Sequence, residues 1–246
     1  LVETPVVTTI HGFSSERIVA VYEKYDQRGY YVAISEADRH ERLHYVATIH
    51  HGIDMAAFEA STAAGTYLLF FGRIHPDKGT ATAIDVAERT GLPLTIAGII
   101  QDHEYFERMV EPRLDGERIR YIGPVGPEAR GDLLAGARAL LHLIDFEEPF
   151  GYSVVEAMAC GTPVIANVRG SMPEIVRHGE GGYLVHSLDE AVAAVHSAGD
   201  MDRLLVRASV ERRFDVDRMV DEYLDVYRRV IAQRRAGRSR LEADSG

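Results

Sequence analysis

The chain has 246 residues, 46% of them apolar and 26% charged, with 27 basic against 38 acidic side chains and a net charge of −11. Such a chain can bury one large core or two modest ones. Its acidic balance argues against a nucleic-acid backbone or an anionic membrane as main partner and leaves a small ligand as the expectation.

The first sixty residues alternate short β-rich runs with helical ones: strands near Val6–Ile10, Tyr31–Ser35 and Ala47–His50, helices near Ser14–Tyr25 and Glu36–His44. Three strands with two crossover helices make about half of a parallel sheet covered on both faces. The expectation is therefore a partial amino-terminal lobe over residues 1–58, completed by an upstream segment or by another chain. The alanine-rich stretch Ala56–Gly65 suits a linker, placed at 59–65.

From Thr66 the alternation is regular, with strands expected at Tyr67–Phe71, Leu94–Ala97, Ile119–Ile122, Ala139–Ile144, Pro163–Ala166 and Tyr183–Val185. Six strands separated by helices predict a complete, doubly wound parallel sheet over 66–213. The apolar positions Val216, Met219, Val220, Tyr223, Leu224, Tyr227 and Val230 have helical spacing, which predicts a terminal helix over 214–235, with a return to the first lobe as one course open to it. Residues 236–246 read as a disordered tail. No apolar run approaches the ~20 residues that span a bilayer, and no signal peptide is visible, so the chain reads as cytoplasmic, at most peripheral to a membrane. The single cysteine, Cys160, sits in the apolar run Ala157–Cys160 as a buried thiol does.

Two stretches carry chemistry. Phe71-Gly72-Arg73-Ile74-His75-Pro76-Asp77-Lys78-Gly79 leaves an apolar strand and enters a helix near Thr80. Ligands of open parallel sheets bind beyond the carboxyl ends of strands, where helix amino termini already favour anions. Arg73 and Lys78 would add full charges facing a diphosphate; alone, they are as readily two solvated surface cations. The second stretch runs from Glu147 and Glu148 through Pro149, Phe150, Gly151 and Tyr152 to Glu156, again after an apolar strand, and opens a helix close to Gly151. Gly151 lets a ligand approach the backbone, and the free amides of Gly151 and Tyr152 can face a phosphate. Glu148 precedes the helix and Glu156 lies one to two turns inside it, so the two carboxylates should do different work. The competing reading is that the first pair of glutamates answers the helix dipole and that Glu156 is a surface residue.

The run from Glu148-Pro149-Phe150-Gly151 to Glu156-Ala157-Met158-Ala159-Cys160-Gly161-Thr162-Pro163 resembles the glutamate-x7-glutamate motif of the family 4 retaining glycosyltransferases, which have the two-lobed GT-B fold. Gly72-Arg73 with Lys78-Gly79 resembles that family's diphosphate loop, and Gly170-Ser171-Met172-Pro173-Glu174 resembles the segment that follows the motif. The resemblance implies an α/β protein of two Rossmann-like lobes, the first incomplete. It implies that Gly72, Arg73 and Lys78 meet the donor diphosphate with Phe150, Gly151 and Tyr152, that Glu156 binds the ribose and that Val125 lies beside the base. Glu148 would contact the transferred sugar, and His11 would face it from the first lobe. The donor expected is a UDP- or GDP-linked sugar, the acceptor is unspecified, and neither a metal nor a further cofactor is called for. His51-Gly52-Ile53-Asp54 replaces the family's usual asparagine-led turn, and Ile99-Ile100-Gln101 its glycine-rich turn. A non-catalytic nucleotide-sugar-binding subunit and a nucleotide-sugar epimerase of the same shape are the competing functions.

Overall fold

The computed structural model describes residues 4–12, 16–63 and 65–243, with side chains described through Ala236. Two parallel sheets organise it. The smaller has three strands, β1 (Val7–Ile10), β2 (Tyr30–Ala33) and β3 (Tyr45–Thr48), in the order β1-β2-β3. Helix α1 (Glu16–Tyr25) connects β1 to β2, and residues 13–15, at the expected start of that helix, lie outside the described residues.

The larger sheet has strands β4 (Tyr67–Phe71), β5 (Leu94–Ala97), β6 (Ile119–Tyr121), β7 (Ala137–His142), β8 (Val164–Asn167) and β9 (Gly182–Val185). Their order is β6-β5-β4-β7-β8-β9, with every pairing parallel. The order reverses between β4 and β7, and in open sheets of this kind that switch point is where ligands bind. Helices α2 (Thr80–Thr90), α4 (Pro127–Ala135), α5 (Tyr152–Ala159), α6 (Met172–Ile175), α7 (Leu188–Ala198) and α8 (Arg203–Glu211) cover both faces, and a short helical turn, α3 (His103–Tyr105), follows β5.

Strand alternation sorts the core. Leu68, Phe70, Ala139 and Leu141 point to one face and pack with Ala83, Ile84 and Ala87 of α2 and Ala191 and Val195 of α7. Leu69 and Leu140 point to the other, against Val154, Val155 and Met158 of α5 and Val206 and Val210 of α8. Because both faces are buried, the central runs Leu68–Phe70 and Ala139–Leu141 are apolar at every position rather than at alternate ones.

Helix α9 (Val216–Ala243) leaves the larger half and lies on the smaller sheet, where Val226 and Val230 pack against Val32 and Ile49. The chain thus passes between the halves at 51–58 and again at 214–216, and the two passages pair: the Ile53 amide donates to Phe214 O at 2.9 Å and the Val216 amide to Ile53 O at 3.0 Å.

Two expectations fail. The helix expected at Glu36–His44 is a chain of turns. That stretch has only Ala37 and Leu43 as apolar residues, too few for a buried stripe, and side chains capture its amides instead: Ser35 Oγ accepts from Asp38 N, His40 Nδ1 from Arg42 N, and Asp26 from His44 N. The tail expected as disordered from residue 236 continues α9 as far as Ala243. Its Arg, Leu, Glu and Ala residues favour helix, and Gly237 without a proline does not break it; residues 244–246 lie outside the described residues.

Candidate functional site

A cleft of about 510 Å³ opens at the carboxyl ends of β4 and β7, lined by Gly72, Arg73, Lys78, Arg130, His142, Glu148, Gly151, Tyr152, Ser153 and Glu156 together with apolar residues of the strands. Lys78 ends the turn Pro76–Lys78 that follows β4. Its Nζ lies 2.9 Å from Glu148 Oε2 and 4.2 Å from the centre of the Phe146 ring. Both partners of the ion pair are mostly buried, at 15% and 13% exposure. Burial alone would raise the Glu148 carboxyl, but His142 and Lys78 facing it more than offset that and bring it down to about 2. Glu148 is an anion throughout the neutral range.

The loop bearing Glu148 is clamped from the neighbouring β8–α6 connection. The Ser171 amide donates to Glu148 O at 2.8 Å, and Ser171 Oγ donates to Phe150 O at 3.0 Å. Gly170, at φ +51°, has no room for a side chain, since a Cβ there would stand 2.3 Å from the Glu148 backbone. Gly151, at φ +85°, precedes α5 without any side-chain cap, and Gly151, Tyr152 and Ser153 at the start of the helix line the cleft.

Glu156, one turn into α5, is 6% exposed and accepts from Arg130 Nη1 of α4 at 2.6 Å. Burial pushes its carboxyl upward, partly countered by Arg130. Arg73 points its guanidinium to the Gln101 side chain beyond β5.

Other expected site residues lie elsewhere. Phe150 is buried beneath the cleft, edge-on to the rings of His51 and Tyr152. Val125 sits half-buried in the loop between β6 and α4 and is not among the residues lining the cleft. His11 is exposed beyond the end of β1 and likewise outside the lining. It meets His51 instead, with Nδ1 3.2 Å from His51 Nε2 and the rings stacked at 5.0 Å. His51 in turn stacks on Tyr152 at 5.0 Å, so three rings join the end of β1 to the start of α5. Burial, helped by His11 and His50, pushes the His51 imidazole down to about 4, so it stays neutral near pH 7.

Sequence reasoning passed over His142 and Arg130, and quoted His51 and Glu174 within motif stretches without giving either a role. His142 ends β7 at 7% exposure, its Nε2 3.5 Å from Glu148 Oε2 but without hydrogen-bond geometry to it or to any other described residue. The available signal was a lone polar side chain at the carboxyl end of an apolar strand. Glu174 of α6 reaches the smaller half, accepting from the amides of Glu36 and Ala37 at 2.9 and 2.8 Å and pairing with His50 Nε2 at 2.8 Å. Among the described residues, no group of three or more His, Cys, Asp or Glu side chains is placed to hold a metal ion. Nor is any helix there long and apolar enough to cross a membrane.

Residues 57–205 match the family model described as glycosyl transferases group 1. A D-inositol 3-phosphate glycosyltransferase of Mycobacterium marinum is 31% identical over an alignment of 227 residues, covering 81% of this chain and 48% of that protein. One of the same name from Acidothermus cellulolyticus is 32% identical over 210, covering 74% and 45%. The chain therefore spans about half the length of the curated relatives it matches. Among solved structures, a glycosyltransferase involved in avilamycin A biosynthesis superposes with TM-score 0.71 at 28% identity, over 82% of this chain and 64% of that one. HepE of Anabaena, in complex with UDP and glucose, superposes with TM-score 0.77 at 21% identity, over 90% and 71%.

Proposed function

Because the chain belongs to the group 1 glycosyl transferases, we propose that its cleft holds the diphosphate of a nucleotide-sugar donor and that the protein transfers the sugar to an acceptor with retained anomeric configuration. The observation that carries this reading is the meeting of Lys78, its mostly buried partner Glu148 and the uncapped start of α5 at the switch point of the sheet.

In this reading Lys78 and Arg73 neutralise the diphosphate together with the amides of Gly151 and Tyr152, and Glu156 turns from Arg130 to the ribose hydroxyls. Two cations and a helix terminus stabilise the departing charge without calling on a metal. The bond from the anomeric carbon to the diphosphate oxygen breaks, and its electron pair leaves with the phosphate. The acceptor hydroxyl bonds to that carbon from the same face and gives its proton to the departing phosphate. Glu148, an anion with its pKa at about 2, is no proton donor. It orients the sugar hydroxyls and faces the positive charge that grows on the ring.

A UDP-linked sugar is the first donor to test, since a protein of the same fold holds UDP and glucose, and GDP-linked sugars are the second. The acceptor named for the mycobacterial relatives, D-inositol 3-phosphate, is the first acceptor. Melting curves with a panel of nucleoside diphosphates test the site directly, because a ligand at a hundred times its Kd stabilises by about 2.7 kcal/mol. One nucleotide should raise the melting temperature; if none does at millimolar concentration, the donor reading falls.

A further inference from the structure

His142 is a buried histidine whose outer ring nitrogen lacks a hydrogen-bond partner among the described residues. Buried donors of this kind are rare in folded proteins, because leaving one unmade is destabilising. This one lines the cleft and stands 3.5 Å from the same Glu148 oxygen that Lys78 holds at 2.9 Å. Lys78 is thus committed to Glu148 in this structure. Arrival of a diphosphate brings a second, more highly charged anion to the same ammonium, and Glu148 loses much of that partner just when its carboxylate must be fixed against a sugar.

We propose that His142 is a positioning residue for Glu148: with Lys78 turned toward the donor diphosphate, Nε2–H hydrogen-bonds the carboxylate where the seated sugar keeps water from it, whereas with a bare nucleoside diphosphate water solvates the carboxylate instead. A shift of about half an ångström brings the 3.5 Å separation to ordinary bonding distance. The ring needs its proton on Nε2, a condition met by that neutral tautomer and by the imidazolium alike. The loop carrying Glu148 is held by Ser171 and Gly170, so the adjustment falls to the side chains and not to the backbone. The inference rests on the donor reading above.

The test compares UDP with UDP-glucose, and GDP with GDP-mannose, by calorimetry on the chain and on the variants His142→Leu and His142→Gln. The leucine variant fills the ring's space without a donor; the glutamine variant keeps an N–H near the Nε2 position. Loss of one bond to a charged group predicts that His142→Leu weakens nucleotide-sugar binding about 10- to 100-fold. Affinity for the bare nucleoside diphosphate stays close to that of the wild type, and His142→Gln recovers much of the loss. In wild-type protein with 15N-labelled histidine, the His142 Nε2 signal shifts with UDP-glucose as its hydrogen bond forms. Equal loss of nucleotide and nucleotide-sugar affinity in His142→Leu would make the role structural and overturn the proposal. An unchanged affinity, no recovery with glutamine or an unmoved Nε2 signal also overturns it. If the wild-type chain binds none of these ligands, the donor reading itself fails, an outcome distinct from any effect of the variants. Should His142→Leu not fold, the 15N shift and the glutamine variant decide.

Discussion

Glu148 and Lys78 form a mostly buried pair at 2.9 Å, and the proposed chemistry requires that they be separable. Glu148→Gln keeps the shape of the side chain and removes the charge. Turnover should fall about 100-fold or more, the order seen when a group aimed at transition-state charge is lost, while nucleoside diphosphate affinity holds or rises because Lys78 is released. Steady-state transfer beside UDP titration checks this, and near-normal turnover would remove Glu148 from contact with the sugar. Two titratable side chains outside the cleft lining, His51 and Asp38, set a pH dependence of stability. His51 is held down to about 4 against its ordinary 6.5, so the unfolded chain takes up a proton that the folded chain refuses. Its contribution is complete above pH 6.5 and is lost as the pH falls from 6.5 toward 4. Asp38 is the reverse case: burial pushes it up to about 6 from 3.8, against the Gly12 amide, and its Oδ2 lacks a partner among the described residues. Its ionisation costs nothing below pH 3.8 and weighs fully above pH 6. Asp38→Asn should therefore raise the melting temperature at pH 7.5 and change it little at pH 4; equal gains at both pH values would show that titration is not the cause.

At the scale of elements, the larger sheet was legible because burial on both faces leaves short runs of apolar residues in its strands, as in Leu68–Phe70 and Ala139–Leu141. Their ends were less so: the strand expected at Ala139–Ile144 runs from Ala137 to His142. That two-residue offset hid the histidine at the sheet's carboxyl edge inside what read as an apolar run. The contacts of Arg130 and Glu174 were invisible for another reason, since their partners lie 26 and more than 120 positions away and no local pattern announces them. The turns at 36–44 show the same limit, because amides captured by Ser35, Asp26 and Glu174 outweigh the local helical tendency. The β8–α6 connection gives the sharpest prediction at this scale. Gly170→Ala puts a Cβ at φ +51° and 2.3 Å from the Glu148 backbone. Left-handed strain and the clash together should cost roughly 2 to 4 kcal/mol in chemical denaturation. A loss of under about 0.5 kcal/mol, the range of unremarkable surface changes, would show that the Glu148 loop is not held there.

Across the whole molecule, the two halves meet through Glu174, through the His11–His51–Tyr152 stack and through the paired passages of the chain. Glu174→Gln removes the charge that three donors share. The amides of Glu36 and Ala37 should then exchange with solvent faster by about tenfold or more, as expected when bonds to a charged acceptor weaken. Hydrogen exchange resolves those two amides, and unchanged rates would assign the contact to packing alone. The paired passages have a mechanical consequence. One flexible tether would let the halves rotate about three axes, whereas two segments hydrogen-bonded side by side, Ile53 to Phe214 and Val216 to Ile53, resist twist and shear between them. Gly52 tightens the joint, since a Cβ there would lie 2.6 Å from Val216 Cα. What remains easy is bending about the line of the two crossings: a door on one axis, with His51 at the start of the first crossing stacked between His11 of one half and Tyr152 of the other.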